Sequence, residues 1–213
     1  MLYLVKTPWW LKRLYPRCIW DIPVKDKIIY LTFDDGPHPE ITPFVLDTLE
    51  QYQARATFFC IGKNVQEHPD VYQEILLRGH RTGNHTFNHL NGWKTDDAKY
   101  IRNITEATDY IDSDLFRPPY GRISKLQARL LSDPPATAGS KAFSIIMWTV
   151  LSGDFDTSLS ADKCTANVIV NTQPGSIVVF HDSTKAFPRM QTALPKTLQY
   201  FSARGYRFES IQL

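Results

Sequence analysis

The sequence predicts an α/β protein built as a single-domain, distorted (β/α) barrel of about seven parallel strands. Two observations lead to this fold class. Short apolar runs alternate with longer stretches of mixed polarity, and continuous apolar runs are typical of parallel strands covered by helices on both faces. The 213 residues contain no linker, internal repeat or low-complexity segment, which favours one domain. A doubly wound open sheet of the same units is the alternative arrangement.

The first four β-α units are recognised by their apolar runs and by the residues that limit each helix. The run KIIYLTF is strand-like, and the helix after it has Pro43 in its first turn, where proline is tolerated. A later helix ends at Gly79, because glycine is common just past helix C-termini. The predicted order is strand 27–33, helix 42–53, strand 56–61, helix 69–78, strand 80–84, helix 96–111, strand 115–117 and helix 124–131.

The remaining units follow the same alternation. FSIIMWTV and SIVVF are rich in apolar and β-branched residues, and the last helix closes before Gly205. The predicted order is surface loop 132–139, strand 143–150, helix 161–171, strand 176–180, helix 188–203 and strand 206–211. Residues 27–213 therefore form the predicted barrel domain.

The first 26 residues combine Trp9 and Trp10 with several Lys and Arg residues. Such a composition is typical of a segment that contacts a membrane surface. Prolines at positions 8, 16 and 23 prevent one long helix, so we favour a second interpretation, an N-terminal flap packed on the barrel. No apolar run reaches the roughly 18 residues of a membrane span, and cations interrupt the stretch that a secretory signal needs.

Composition excludes several classes of protein. Hydrophobic residues make up 43% and charged residues 22%, which excludes a disordered, collagenous or coiled-coil chain. A net charge of +2 argues against a nucleic-acid partner. The three cysteines are odd in number and have no CxxC spacing, so neither a disulfide framework nor a cysteine-based zinc site is expected.

Polar residues follow nearly every predicted strand. Active residues of both barrels and doubly wound sheets lie at the carboxyl ends of the strands. The sequence therefore predicts an active site assembled from these positions. They are, in order, Asp34, Asp35, His85, His89, Arg117, Ser152, Asp154, His181 and Asp182.

The adjacent carboxylates and the histidine pair indicate a metal site. Neighbouring side chains at a strand end diverge, so one Asp can bind a metal while the other remains a base. An Asx-turn cap is the alternative for this Asp-Asp-Gly segment. On a helical turn, His85 and His89 would share one face and, with Asp35, bind one Zn²⁺. Non-haem Fe(II) oxygenases use the same ligand types, so the ligand set leaves the chemistry open.

Three further residues suit proton transfer and charge stabilisation. His181 ends an apolar strand and would point into the barrel mouth as a general acid, or it is a core histidine bonded to backbone. Arg117 would keep Asp34 ionised and oriented, or it is a surface arginine in a rigid Pro-Pro loop. The turn after Arg117 could aim the Tyr120 backbone N–H at an oxyanion.

Taken together, five segments resemble the motifs of the polysaccharide deacetylase family, also called the NodB homology domain or carbohydrate esterase family 4. They are TFDDGP at 32–37, HTFNH at 85–89, RPPYGR at 117–122, WTVLSGDFD at 148–156 and VVFHD at 178–182. The resemblance implies a divalent metal, usually zinc, held by Asp35, His85 and His89. It also implies that Asp34 is the general base on the attacking water, and that the metal and the Tyr120 N–H stabilise the oxyanion.

The resemblance further implies how the leaving group departs. His181 would protonate the leaving amine, with Asp154 as its acidic partner. Members often have Asp-x-x-Asp-Trp in the fourth motif, where this chain has Leu151 in place of the first Asp and Phe155 in place of the Trp. Asp156 lies close enough in sequence to take the role of Asp154.

We therefore expect a metal-dependent hydrolase that removes N-acetyl groups from N-acetylglucosamine-type sugars, such as chitooligosaccharide, peptidoglycan or a lipid-linked sugar. The alternatives are hydrolysis of another amide or an acetyl ester at the same site, and a non-catalytic glycan-binding barrel. An Fe(II) oxygenase is disfavoured by the fold and by the acid and base beside the metal. The missing signal favours a cytoplasmic location, whereas cell-wall substrates favour export. Non-classical export or a membrane-surface location would reconcile the two, and the sequence leaves the oligomeric state open.

Overall fold

Nine strands form one sheet in the computed structural model, which describes residues 3–134 and 141–213. Every neighbouring pair of these strands is parallel. The strands are β1 (Cys18–Ile19), β2 (Ile28–Asp34), β3 (Ala56–Cys60), β4 (Arg81–Asn84), β5 (Leu115–Phe116), β6 (Ser144–Ile146), β7 (Val150–Leu151), β8 (Ile177–His181) and β9 (Arg207–Phe208).

Eight α-helices occur in the described residues, and most of them return the chain from one strand to the next. They are α1 (Trp9–Leu14), α2 (Ile41–Glu50), α3 (Gly62–Glu67), α4 (Pro69–Leu77), α5 (Asp97–Ala107), α6 (Lys125–Ser132), α7 (Ala161–Asn171) and α8 (Phe187–Ser202). Asp96, Ser124 and Ser160 cap α5, α6 and α7 by accepting a first-turn N–H. Within this part of the chain, no helix has the length and apolarity that crossing a bilayer requires.

The strand order shows that the sheet closes on itself. Neighbours run β1, β6, β5, β4, β3, β2, β8, β7, with β9 beside β2. β6 and β7 thus lie near opposite ends of the sheet, yet only residues 147–149 separate them along the chain. The four Cα steps across this link span at most about 14 Å, so the sheet must curl until its ends meet. The predicted distorted barrel is confirmed, and the open doubly wound sheet is wrong.

The prediction of one strand over 143–150 is wrong, because the barrel closes within it. The Met147 N–H donates to the Ile19 carbonyl in β1 at 2.7 Å, whereas the Thr149 N–H donates to the Ile177 carbonyl in β8 at 2.9 Å. The segment therefore changes partners between β6 and β7. A single straight strand could not serve both ends of the sheet.

Three elements, α1, β1 and α3, are absent from the prediction. α3 begins at Gly62, although glycine disfavours helices. Glycine is needed there because a Cβ at this position would lie 2.7 Å from the Phe87 ring. The Gly62 N–H donates to the Thr86 carbonyl at 2.9 Å, which holds the two segments at this close approach. Most of the predicted surface loop 132–139 lies outside the described residues.

The N-terminal segment lies along the seam of the barrel. The Thr7 N–H donates to the Thr149 carbonyl at 2.9 Å, and Lys6 forms an antiparallel bridge with Val150. β1 then adds a strand beside β6. The segment therefore supplies backbone hydrogen bonds where β6 and β7 do not pair, while α1 has no buried residue.

Candidate metal centre and active site

The carboxyl ends of five strands bring the predicted polar residues to one mouth of the barrel. Asp34 is the last residue of β2 and pairs in register with His181, the last residue of β8. His85 and Arg117 directly follow β4 and β5, and Asp154 comes three residues after β7. Because the strands are parallel, these side chains share one end of the barrel.

Asp35, His85 and His89 form a cluster with the spacing of metal ligands. One ligand atom from each residue lies within 4.8 Å of the others, and no other such trio of His, Cys, Asp or Glu occurs among residues 3–134 and 141–213. Asp35 Oδ1 is 3.2 Å from His89 Nε2 and 3.7 Å from His85 Nε2. Two imidazole nitrogens and one carboxylate oxygen match a catalytic zinc site, which leaves a position for water or substrate.

The hydrogen bonding of His85 fits a metal ligand. Its Nδ1 lies 2.8 Å from the Arg117 carbonyl oxygen, which can only accept, so the proton belongs on Nδ1 and the Nε2 lone pair faces the cluster. His85 is 1% exposed, and burial lowers the pKa of its imidazole to about 4. A neutral ring with a fixed tautomer is the form that binds a divalent cation.

Asp35 is held as a carboxylate in a strained turn. Burial by itself would raise the pKa of Asp35, but the hydrogen bond from His89 and the charges of nearby histidines hold it below its ordinary value. Its backbone φ is 81°, which is uncommon for a residue other than glycine. The Asn64 side-chain amide donates to the Asp35 carbonyl at 2.7 Å and so supports the turn.

The histidine pair lies in an irregular loop, so its predicted placement on a helical turn is wrong. Thr86 and His89 have φ values of 65° and 55°, which a right-handed helix does not contain. The Asn84 side chain accepts from the Thr86 N–H at 2.8 Å, and the Asn103 side chain accepts from the Asn88 N–H at 3.0 Å. Sequence reasoning misses both asparagines, and only Asn84, next to a motif histidine, carries a sequence signal.

A buried ion pair joins Asp34 to Arg117. Arg117 Nη1 donates to Asp34 Oδ1 and to Thr32 Oγ1, both at 2.7 Å. Its other nitrogens donate to the carbonyls of Ile146 and Met147. Arg117 is 0% exposed, which rules out a surface arginine, and burial lowers its pKa against the opposing effect of Asp34. The guanidinium therefore fixes the orientation of the Asp34 carboxylate.

His181 pairs with Asp154 and not with Asp156. The His181 ring donates from Nδ1 to Asp154 Oδ1 at 2.7 Å, and its backbone N–H donates to Asp154 Oδ2 at 2.8 Å. Asp156 instead accepts from the hydroxyls of Tyr3 and Ser158. Burial lowers the pKa of His181, but Asp154 and the other nearby carboxylates outweigh burial and raise it to about 10. The paired carboxylate therefore favours the protonated form of the ring.

Two buried residues to which the sequence analysis assigns no role hold the parts of the site together. Asp182 accepts from the Gly36 N–H at 3.1 Å and from Thr42 Oγ1 at 2.5 Å, which ties the turn after β2 to α2. Burial raises the pKa of Asp182 to about 7. Arg189 Nε donates to the Asp154 carbonyl at 2.6 Å. Asp182 carries a sequence signal because it follows a motif histidine, whereas Arg189, inside α8, carries none.

Aromatic rings border the paired acid and the metal cluster. Phe155 packs edge-on against His181 with ring centroids 5.2 Å apart, and Tyr3 packs on Phe155 at 4.9 Å. The Tyr120 ring lies 4.6 Å from the ring of His89.

Leu151 is buried in β7. The residue that stands where related sequences often have an acid is therefore part of the sheet.

Comparisons with known proteins identify relatives of this chain. The family profile for polysaccharide deacetylases matches residues 21–138. A peptidoglycan-N-acetylglucosamine deacetylase of Bacillus cereus is 35% identical over 198 residues, which cover 90% of each chain. A chitooligosaccharide deacetylase of Azorhizobium caulinodans is 32% identical over 161 residues, which cover 72% of this chain and 73% of that protein.

A solved structure shows the same fold. The crystal structure of the Bc1960 peptidoglycan N-acetylglucosamine deacetylase matches with a TM-score of 0.81 and 32% identity, over 90% of this chain and 89% of that one. The family profile covers more than half of the 213 residues, and the resemblance seen in the five motifs is confirmed. The protein belongs to the polysaccharide deacetylase family.

Proposed function

We propose that the protein is a metal-dependent hydrolase that removes N-acetyl groups from N-acetylglucosamine-type sugars. One observation carries this proposal: the Asp35, His85 and His89 cluster shares the barrel mouth with two charged pairs. Asp34 with Arg117 offers a proton acceptor, and His181 with Asp154 offers a proton donor. Hydrolysis of an amide needs both, one for the attacking water and one for the departing nitrogen.

The cluster would hold a divalent cation, and its ligand types match zinc. When bound, such a cation polarises a carbonyl oxygen and lowers the pKa of water. The chain contributes ligands from two strand ends, Asp35 after β2 and two histidines after β4. Positive φ values at Asp35 and His89 are typical of backbone strain that the surrounding fold maintains at functional sites.

Asp34 is the base in this proposal. Its carboxylate accepts a proton from water while the water oxygen bonds to the acetyl carbonyl carbon. Arg117 keeps the carboxylate in place through the 2.7 Å contact. Tyr120 would offer its backbone N–H to the oxyanion, and its place at the mouth is supported by its ring contact with His89.

His181 is the acid. Because Nδ1–H is engaged by Asp154, Nε2–H is the group that can reach a substrate. It would give its proton to the amine nitrogen as the C–N bond breaks, releasing acetate and a free amine. In one turnover Asp34 gains a proton from water and His181 loses a proton to the amine. The net charge of the two groups together is therefore unchanged.

Exposed rings on the loops that follow β4 and β5 support a sugar substrate. Trp93 and Tyr120 are 55% and 54% exposed. The Trp93 indole N–H donates to the Ile123 carbonyl at 2.8 Å, and the Arg122 guanidinium lies 4.2 Å from its ring. An immobilised ring of this kind offers a ligand a large apolar face at low entropic cost. The names of the relatives above make chitooligosaccharide and peptidoglycan the substrates to test first.

The zinc-loaded protein is expected to release acetate from N-acetylated chitooligosaccharides or peptidoglycan fragments and to leave a free amine. Chelation should abolish release and added zinc should restore it, because the cation supplies the activated water. The assay measures acetate enzymatically and the product by mass spectrometry. Release from acetyl esters alone would favour the ester alternative, and glycan binding without any release would favour the binding barrel.

The pH profile of kcat/KM tests the acid. His181 must be protonated to act, so activity should fall as the pH rises through its raised pKa. Asp154→Asn removes the charge that stabilises the imidazolium, which lowers this pKa and should move the alkaline limb to lower pH. Asp156→Asn is the matched control and should leave the limb in place. His181→Ala should keep the metal and flatten the limb.

The contrary results are equally specific. A limb that moves only in Asp156→Asn would transfer the partner role to Asp156. A limb that moves in neither variant would leave His181 without a carboxylate partner and would remove it as the acid of this mechanism.

A further inference from the structure

We propose that the exposed surface of α1 docks the protein on a lipid bilayer that carries anionic headgroups. We define the α1 face as Trp9, Trp10, Arg13, Leu14 and Arg17. The proposal does not depend on the reaction at the barrel mouth, and a failure of one would leave the other standing.

The α1 face exposes an unusual amount of apolar surface. Trp9, Trp10 and Leu14 are 70%, 48% and 49% exposed, and no residue of α1 is buried. Three large exposed side chains within six residues concentrate apolar surface on one short helix, and concentrated exposed apolar surface marks an interaction site. Tryptophan is favoured at the boundary between headgroups and acyl chains, where its ring is apolar and its N–H stays wet.

Charge determines which kind of surface this patch fits. Residues 1–20 contain four Lys or Arg and no Asp or Glu, which leaves 20 basic and 22 acidic residues in the rest of the chain. Lys6, Arg13 and Arg17 are exposed, while Lys12 is paired with Asp21. Exposed cations around an apolar patch are complementary to an anionic lipid surface.

The α1 face lies at the end of the barrel opposite the mouth. The antiparallel bridge between Lys6 and Val150 shows that the segment runs down the barrel, from Tyr3 beside Asp156 towards α1. Arg17 donates to Ser132 at 3.3 Å, and Ser132 ends α6, which returns the chain from the mouth to the start of β6. A docked protein would therefore present the metal cluster away from the bilayer.

Co-sedimentation with vesicles tests the docking. The wild-type protein should bind phosphatidylcholine vesicles that contain phosphatidylglycerol and bind pure phosphatidylcholine vesicles much more weakly, by roughly fivefold for each exposed cation. Binding should weaken as salt is raised.

Two variants and two controls assign the binding to the α1 face. Trp9→Ala/Trp10→Ala and Arg13→Glu/Arg17→Glu should each lower the partition coefficient at least roughly tenfold. Lys99→Glu/Arg102→Glu, a double reversal on exposed α5 positions, and Leu77→Ala, which is 85% exposed, should bind like wild type. All four variants change only surface side chains, so their melting temperatures should stay close to that of the wild type.

Fluorescence quenching by brominated lipids tests the orientation without reference to activity. Quenching should be lost in Trp9→Phe/Trp10→Phe and retained in Trp93→Phe, because Trp93 lies in the loop that follows the carboxyl end of β4, on the side of the barrel mouth. No binding of the wild type to anionic vesicles, or equal binding by both α1 variants, would overturn the proposal. Self-association that disappears in Trp9→Ala/Trp10→Ala, without vesicle binding, would instead assign the face to a second copy of the chain.

Discussion

Alanine in place of Asp35, His85 or His89 is expected to abolish stoichiometric zinc binding, and turnover with it. Each change leaves two protein ligands where catalytic zinc takes three. Loss of a residue that only supports a ligand costs roughly 10–100-fold in metal affinity, so loss of a direct ligand should cost more. Metal analysis of each purified variant, beside an acetate-release assay, measures both effects.

Two matched variants control for the loss of a histidine or a carboxylate as such. His38 lies outside the cluster, where its Nδ1 accepts backbone N–H groups at the start of α2, so His38→Ala should keep its zinc. Asp156→Ala should also keep its zinc, because this carboxylate is bonded to Tyr3 and Ser158. Near-normal zinc in all three ligand variants would show that the metal binds elsewhere.

The members of the candidate cluster could be predicted from sequence, because His and Asp are metal-binding residue types and each follows a predicted strand. Asp35 follows a buried strand, and His85 follows another in the same parallel sheet, so the two had to meet at one edge. The local backbone could not be predicted in the same way. The loop is held by the side chains of Asn84, which accepts from the Thr86 N–H, and of Asn103, which accepts from the Asn88 N–H, whereas spacing alone suggests a helical turn.

The partner of His181 shows a similar limit. Asp154 and Asp156 stand two residues apart, and nothing in their spacing separates them. The fold decides, because Gly153 takes a φ of 82° and Arg189 of α8 holds the Asp154 carbonyl. The first is a matter of backbone conformation and the second depends on a helix distant in sequence. A local sequence pattern contains neither.

Barrel closure is the part of the fold that the apolar pattern could not show. Alternation of strands and helices predicts most of the elements and their parallel pairing, and most of these are observed. It contains no information on where the sheet ends meet. The break between β6 and β7 depends on Ile19 and Ile177, which lie far away in sequence, so an eight-residue apolar run appeared to be one strand.

Asp34→Asn is expected to keep the metal and to lower kcat by roughly 10²–10⁴-fold, the usual contribution of a general base. Asparagine preserves the size of the side chain and can still accept from Arg117, but it cannot take a proton from water at neutral pH. KM should change little, since the lost interaction develops in the transition state. The adjacent change Asp35→Asn is the matched comparison, because it should lose zinc.

Stability must be measured beside the kinetics of Asp34→Asn, since Arg117 is 0% exposed and loses its counter-charge. Leaving one partner of a buried ion pair uncompensated costs about 3–5 kcal/mol, and the retained amide hydrogen bond should keep the loss at or below the lower end. Assays well below the melting temperature separate this loss from catalysis. Wild-type kcat in a zinc-loaded Asp34→Asn protein would mean that another group is the base. Loss of zinc in Asp34→Asn would mean that the two adjacent carboxylates share one role, against the separate contacts that the structure gives them.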